Sequence, residues 1–220
     1  MLETIQAMIQ KLYDVQTLQG YTEQQIAYLK ERFGGLPEVL ETYYRIAGGT
    51  EACYAVQDTW ILPEQYQTWQ WLQKQDNMIL LHENQGVCSA GIRKEDLSLQ
   101  DPPVYVTEDD SNWLLCAPSV STFLCAALAY ESVFAMSYTS EEFIWLTEEE
   151  ISALPNILQK LPFSLQNWLC EEITCYQNTP EQMVIVMENE DGTGCMLYGA
   201  ASEAAYDQLY QILEDIGESM

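Results

Sequence analysis

The chain has 220 residues, 48% of them hydrophobic, with 8 Lys and Arg against 34 Asp and Glu for a formal net charge of −26. That apolar fraction supplies a real core for one large domain, or for one domain with a substantial extension. Over a folded surface of roughly 10,000 Å² the charge amounts to about one net negative charge per 400 Å², which repels DNA, RNA and anionic lipid.

LETIQAMIQKLYDVQTL at 2–18 places Ile5, Met8, Ile9, Leu12 and Val15 at helical spacing, with Gly20 as the stop. Thr22 with Gln25 forms a capping-box pattern and predicts a second helix through Phe33. LPEVLETYYRIAGG at 36–49 predicts a third, from Pro37 to about Ala47, with Val39, Leu40, Tyr43, Tyr44 and Ile46 inward and Glu38, Glu41 and Arg45 outward. Pro63 opens a fourth helical pattern, PEQYQTWQWLQK.

The period then changes. MILLHENQGVCSAGI at 78–92 reads as a β-hairpin around Asn-Gln-Gly, DPPVYVTEDD supplies a strand at 104–107, and NWLLCA supplies another. SVSTFLCAALAYESVFAM at 119–136 predicts a helix apolar enough to be buried on more than one side. In the remainder, TEEEISALPNILQKL predicts a capped acidic helix. EITCYQN, MVIVMEN and CMLYGAA predict strands with a turn at Asp191-Gly192, and SEAAYDQLYQILEDI predicts a closing helix. The order of helices, antiparallel meander and helix is that of an α+β fold. Residues 1–136 form its main domain. Residues 137–220 form a C-terminal extension, expected to continue the sheet, whose standing as a separate domain the sequence leaves open.

The start, MLETIQAMIQK, has an acid at Glu3 and no basic region before an apolar run, so it does not read as a secretory signal. The longest strongly apolar stretch, FLCAALAY at 123–130, is far short of the roughly 20 residues that span a bilayer. The seven cysteines, Cys53, Cys88, Cys116, Cys125, Cys170, Cys175 and Cys195, form no CxxC pair and sit mostly among apolar neighbours, which fits reduced core thiols in a cytoplasmic protein.

Catalytic signals are sparse. His82 is the only histidine, which excludes zinc sites built on two or more, and no cysteine pair has structural-zinc spacing. A Ser-His or Cys-His nucleophile would have to recruit His82, and no G-x-S-x-G accompanies it. The carboxylate pairs Glu141-Glu142, Glu148 to Glu150 and Glu171-Glu172 fall mostly at helix starts, where acids complement the dipole. The G-T-G at 192–194 lies between strands and reads as a hairpin turn, so neither a cofactor nor a metal is expected.

What stands out is an acidic surface with aromatics set into it. Residues 95–220 hold 23 acids and one base, Lys160. EDDSNWLL, YTSEEFIWLTEEE and NWLCEE place Trp113, Phe143, Trp145 and Trp168 among carboxylates, in the manner of buried anchors with a charged rim. The expected binding residues are Glu108, Asp109, Asp110, Trp113, Glu141, Glu142, Trp145, Glu148, Glu149 and Glu150, facing a basic protein; the first three helices serve as support.

Leu36-Pro37, Tyr43-Tyr44, Gly48-Gly49, ENQGV at 83–87, DPPVYV at 101–106, Trp113 and the SVSTFL helix start form an ordered set that resembles the SUKH superfamily. That superfamily includes bacterial immunity proteins and fungal cell-wall assembly regulators, and the match covers roughly residues 25–135. The resemblance implies an α+β domain without an active site that binds partner proteins, in bacteria typically a cognate toxin. Many such toxins are nucleases with basic clefts, which a carboxylate-rich surface can occupy as phosphates would. The expectation is therefore an immunity protein acting by stoichiometric binding. The alternatives are a regulatory or scaffold module without a toxin, and a carboxylate-based enzyme. The sequence says nothing of the oligomeric state.

Overall fold

The structure, a computed structural model, describes residues 2–54 and 56–219. Helix α1 (Leu2–Leu12) buries Ile5, Ile9 and Leu12. It ends well short of Gly20, because Asp14 takes a left-handed backbone with φ 50°. Val15 fits the helical spacing but lies outside the helix. Helix α2 (Glu23–Phe33) opens on the expected capping box, Thr22 and Gln25 each bonding the other's backbone N–H, and closes on Gly34 at φ 74°.

Helix α3 (Glu38–Ile46) buries Leu40, Tyr43 and Tyr44. Two of its three outward charges are taken up locally: Glu41 accepts from Lys30 at 2.7 Å and from Arg45 at 2.9 Å, and Arg45 also pairs with Glu23, while Glu38 is exposed. The loop before α2 is seated on the end of α3, with Tyr21 N–H donating to the Tyr44 carbonyl at 2.7 Å and Gly49 N–H to the Gln19 carbonyl at 2.8 Å. Only glycine permits this approach, since a Cβ on Gly20 would stand 1.9 Å from the Arg45 carbonyl oxygen.

A short 3₁₀ turn leads to strand β1 (Thr59–Trp60). The single helix expected from Pro63 is instead two separate turns, α4 (Gln65–Thr68) and α5 (Gln70–Gln73), broken where Trp69 adopts an extended ψ of 115°. Strands β2 (Met78–His82), β3 (Ser89–Ile92), β4 (Val104–Thr107) and β5 (Leu114–Ala117) follow where the sequence predicts them. With β1 at the edge they make an antiparallel meander in sequential order.

Helix α6 (Val120–Ala135) starts at Ser119, whose hydroxyl accepts from Thr122 N–H at 3.1 Å. Every residue from Phe123 to Val133 is buried. The helix packs against α1, α3 and β5 on one side and against the second sheet on the other, which explains its all-round apolar character.

The second part comprises β6 (Tyr138–Thr139), β7 (Ile144–Leu146), α7 (Glu148–Ala153), β8 (Gln159–Gln166), β9 (Glu172–Gln177), β10 (Gln182–Glu188), β11 (Gly194–Ala200), α8 (Glu203–Leu213) and β12 (Glu218–Ser219). Its strands do not extend the meander; they form their own sheet, ordered β12-β7-β11-β10-β9-β8 with β6 beside β11. The helix expected across 147–161 stops at Ala153. A 3₁₀ turn containing Pro155 follows, and Gln159–Gln166 is a strand. Pro162 is tolerated there because β8 is an edge strand whose register shifts between Lys160 and Ser164.

The two sheets meet where β5 approaches β8, and the Asn167 amide donates to the Leu115 carbonyl at 2.9 Å across that seam. One buried cluster runs from Ile5 and Ile9 through α6 to Ile173, Cys175 and Ile185. The opposite face of the second sheet carries Tyr176, Val184, Val186, Met196 and Tyr198 against Ile151, Leu209 and Leu213 of α7 and α8. The strict alternation of Val184, Ile185 and Val186 between the two clusters shows a sheet covered on both faces. Among the described residues no helix is long and apolar enough to cross a membrane.

Candidate functional site

The β4–β5 hairpin loop carries the first acidic cluster. Asp109 is fixed by its own loop: one carboxylate oxygen accepts from Ser111 and Asn112 N–H, both at 2.9 Å, and the other from the Asn112 amide at 3.0 Å. The Asn112 and Ser111 N–H groups hold its pKa well below the usual carboxylate range. Asp110 stands in a left-handed conformation with φ 62°, and its carbonyl accepts from the Trp113 indole N–H at 3.2 Å. Trp113 is half-buried against the core and closes the loop. Glu108 is exposed.

This hairpin flanks a groove of about 240 Å³ lined by Val106, Thr107, Glu108, Asp109, Leu114 and Asn167. Leu114 is 56% exposed, Leu115 41% and Leu169 41%, a concentration of open leucine around the acidic loop and the sheet seam. The seam imposes it. The β8–β9 turn holds Asn167 at φ 58° and Leu169 at φ 64°, so Trp168 is driven fully into the core while Leu169 is pushed out. A leucine in the left-handed region carries about 1–2 kcal/mol of strain. Trp168 is thus a core residue, and its neighbour takes the exposed place.

The second acidic cluster lies elsewhere. Glu141 and Glu142 are exposed on the loop between β6 and β7, with Phe143 and Trp145 each 39% exposed beside them. Glu148 packs over Gly192, Glu149 is exposed, and Glu150 completes a capping box with Thr147 while its other oxygen accepts from Gly217 N–H at 3.0 Å. The Thr147 bonds keep the Glu150 pKa below its ordinary value. Strand β7 lies four places from β8 in the second sheet, and β5 of the first sheet contacts β8. At about 4.8 Å per strand, the two clusters stand roughly 20 Å apart or more. The expected ten residues therefore form two surfaces, with Asp109 and Glu150 serving the chain's own turns in both.

A third acidic group was not legible in the sequence. Asp58, Glu83 and Glu131 are all buried, with Glu131 fully enclosed on α6. The Glu131 carboxyl accepts the Gln57 N–H at 3.0 Å and the Asp58 N–H at 3.2 Å, which clamps the segment entering β1. Glu83 accepts from Gln85 and Val87 N–H and closes the β2–β3 turn. Burial, followed by the Asp58 charge, raises Glu131 to about 8; burial also raises Asp58 to about 6, against the pull of the Asn84 N–H. The two carboxyl groups are coupled, which favours the neutral form of Glu131 beside the charged form of Asp58. One Asp58 oxygen and the Trp60 and Trp168 indole nitrogens have no hydrogen-bond partner among the described residues.

His82 is half-buried against Trp71, with ring centroids 5.1 Å apart, and its Nδ1 shares a 2.8 Å hydrogen bond with the hydroxyl of its cross-strand partner Ser89. Burial lowers its pKa, and Ser89 is itself buried. Burial pushes the thiols the other way, with Cys53, Cys88, Cys170 and Cys175 raised to about 12 and Cys125 to about 11. All seven cysteines are unpaired thiols. Among the described residues no group of three or more His, Cys, Asp or Glu side chains is arranged to hold a metal ion.

Comparison of the chain with protein-family models, with curated proteins and with solved structures finds no match.

Proposed function

We propose that this chain is an immunity protein that neutralises a cognate toxin by stoichiometric binding, with the groove beside the β4–β5 hairpin as its principal contact. The observation that carries this reading is exposed Leu114 lining the groove, with exposed Leu115 and Leu169 near the same seam, beside carboxylates that enter no ion pair among the described residues. The five ion pairs of the described residues involve none of the hairpin acids. Desolvated leucine supplies affinity, and the acidic rim supplies orientation and rapid capture of a basic surface. The resemblance of residues 25–135 to the SUKH superfamily supports the same reading.

The test is co-expression with the product of the adjacent gene, followed by co-purification and a growth assay. Protection by the wild-type chain, lost in Leu114→Glu and retained in Glu38→Gln/Glu41→Gln, is the expected result. Protection that survives Leu114→Glu removes the hairpin as the interface. A second reading, a scaffold module without a toxin, is favoured by one feature: two acidic surfaces at opposite edges of the fold can engage two partners at once. A complex with two different proteins and no toxic neighbour would select it.

A further inference from the structure

The outer face of the second sheet holds a groove that the reading above does not use. Helix α8 lies on β10 and β11 through Ala205, Leu209 and Leu213. Tyr206 and Tyr210, one turn apart, therefore share a side of the helix. Strand β6 is only two residues long and crosses β11 at Gly199, where a Cβ would come within 2.9 Å of the Met136 sulfur. The chain then leaves the sheet through Ser140, Glu141 and Glu142 before returning as β7. Between this loop and α8 opens a groove of about 550 Å³ lined by Tyr138, Tyr198, Tyr206, Tyr210, Glu141 and Glu142.

Tyr198 is buried and stacks with Tyr206 at 5.7 Å and 22°, so this pair is the floor. Tyr138 and Tyr210 remain 37% and 48% exposed. No Lys or Arg lines the groove, and neither Glu141 nor Glu142 enters an ion pair among the described residues. Tyrosine faces are electron-rich, and a cation held over them beside a carboxylate gains from both. Of the protein cations, guanidinium is planar, stacks on aromatic rings and offers a fork of N–H donors to carboxylates.

We propose that the groove between α8 and the β6–β7 loop binds an arginine side chain of a basic protein segment, seated over Tyr138, Tyr206 and Tyr210 and held by Glu141 and Glu142. It rests on the basic-partner reading for its biological source, but the groove and its chemistry are independent of the hairpin.

The probe is an acetylated, amidated Gly-Arg-Gly-Arg-Gly peptide, with lysine and citrulline analogues, titrated into the full chain by calorimetry and by NMR of the tyrosine rings. The arginine peptide should shift Tyr206 and Tyr210, bind more tightly than the lysine analogue, and lose binding as citrulline. Tyr210→Ala and Glu141→Gln/Glu142→Gln should each weaken it about tenfold, whereas Glu108→Gln/Asp110→Asn at the far hairpin should change it less than about twofold. Because Tyr210 is half-exposed, its removal should leave the circular dichroism spectrum unchanged. Citrulline binding as well as arginine, equal losses at groove and hairpin, or ring shifts confined to the hairpin would each overturn the proposal. Peptide binding at the groove with no toxin to protect against leaves this site standing and removes the immunity reading.

Discussion

Glu131 gives the most direct access to the interior. It is fully buried on α6, and its pKa stands at about 8 against an ordinary 4.5, because burial and the neighbouring Asp58 charge both oppose ionisation. Below the ordinary value the folded and unfolded chains both hold the proton, and stability is unaffected. Between the two values the unfolded chain has released its proton while the folded chain keeps it, so stability falls as pH rises, and the loss is complete above the folded value. At about 1.4 kcal/mol per unit, the fall between about pH 6 and about pH 8 is about 2 kcal/mol from this residue alone. Glu131→Gln preserves the shape and an acceptor for the Gln57 and Asp58 N–H groups but carries no charge. Urea unfolding of both proteins at the two pH values should show the wild type losing about 2 kcal/mol more than the variant. The thiols and the surface carboxylates titrate alike in both, so the difference between the curves reports the buried Asp58–Glu131 pair, whose two titrations are coupled. Parallel curves would mean that Glu131 is solvated or already ionised in the fold, and the clamp on the β1 entry would need another explanation.

Other consequences separate fold from binding. Leu169→Gly relieves a left-handed leucine and should leave stability within about 1 kcal/mol of wild type or slightly higher, while weakening binding of the proposed partner; a larger loss in chemical unfolding would show that the leucine packs. Asp109→Ala should lower the melting temperature by unmaking the hairpin loop, whereas Glu108→Gln should leave it essentially unchanged, and equal effects in thermal melts would contradict the assigned roles. Gly20→Ala drives a methyl into the Arg45 carbonyl and should cost more than about 3 kcal/mol or abolish expression of folded protein, with a wild-type melting curve refuting the close approach. Association with a basic toxin should be fast at low salt and slow markedly as the screening length falls to about 8 Å near physiological ionic strength, and salt-independent on-rates in stopped flow would exclude electrostatic capture.

The features legible in the sequence are those decided over a few residues. The Thr22–Gln25 capping box closes within one turn, the Asn-Gln-Gly turn between β2 and β3 and the Asp191-Gly192 turn between β10 and β11 need only their own backbone, and the apolar breadth of α6 announces burial on two sides. Misreadings arose where a distant partner decides. Leu12 and Val15 share a helical period, but the left-handed Asp14 intervenes. Pro162 argues against a strand unless β8 is known to be an edge. At the candidate surface NWLCEE does not reveal which side chain is exposed: the turn that joins β8 to β9 holds Asn167 and Leu169 in the left-handed region, which sends Trp168 into the core and Leu169 outward. Acidity was legible as a total, whereas its division into two surfaces follows from β7 and β5 standing on opposite sides of the second sheet. The pairing of Asp58 with Glu131, 73 residues apart, exists only because α6 is threaded through the middle of both layers. A protein that surrounds its central helix in this way leaves its sheet edges and loops as the places where partners can be met, and its carboxylates and open leucines and tyrosines are concentrated there.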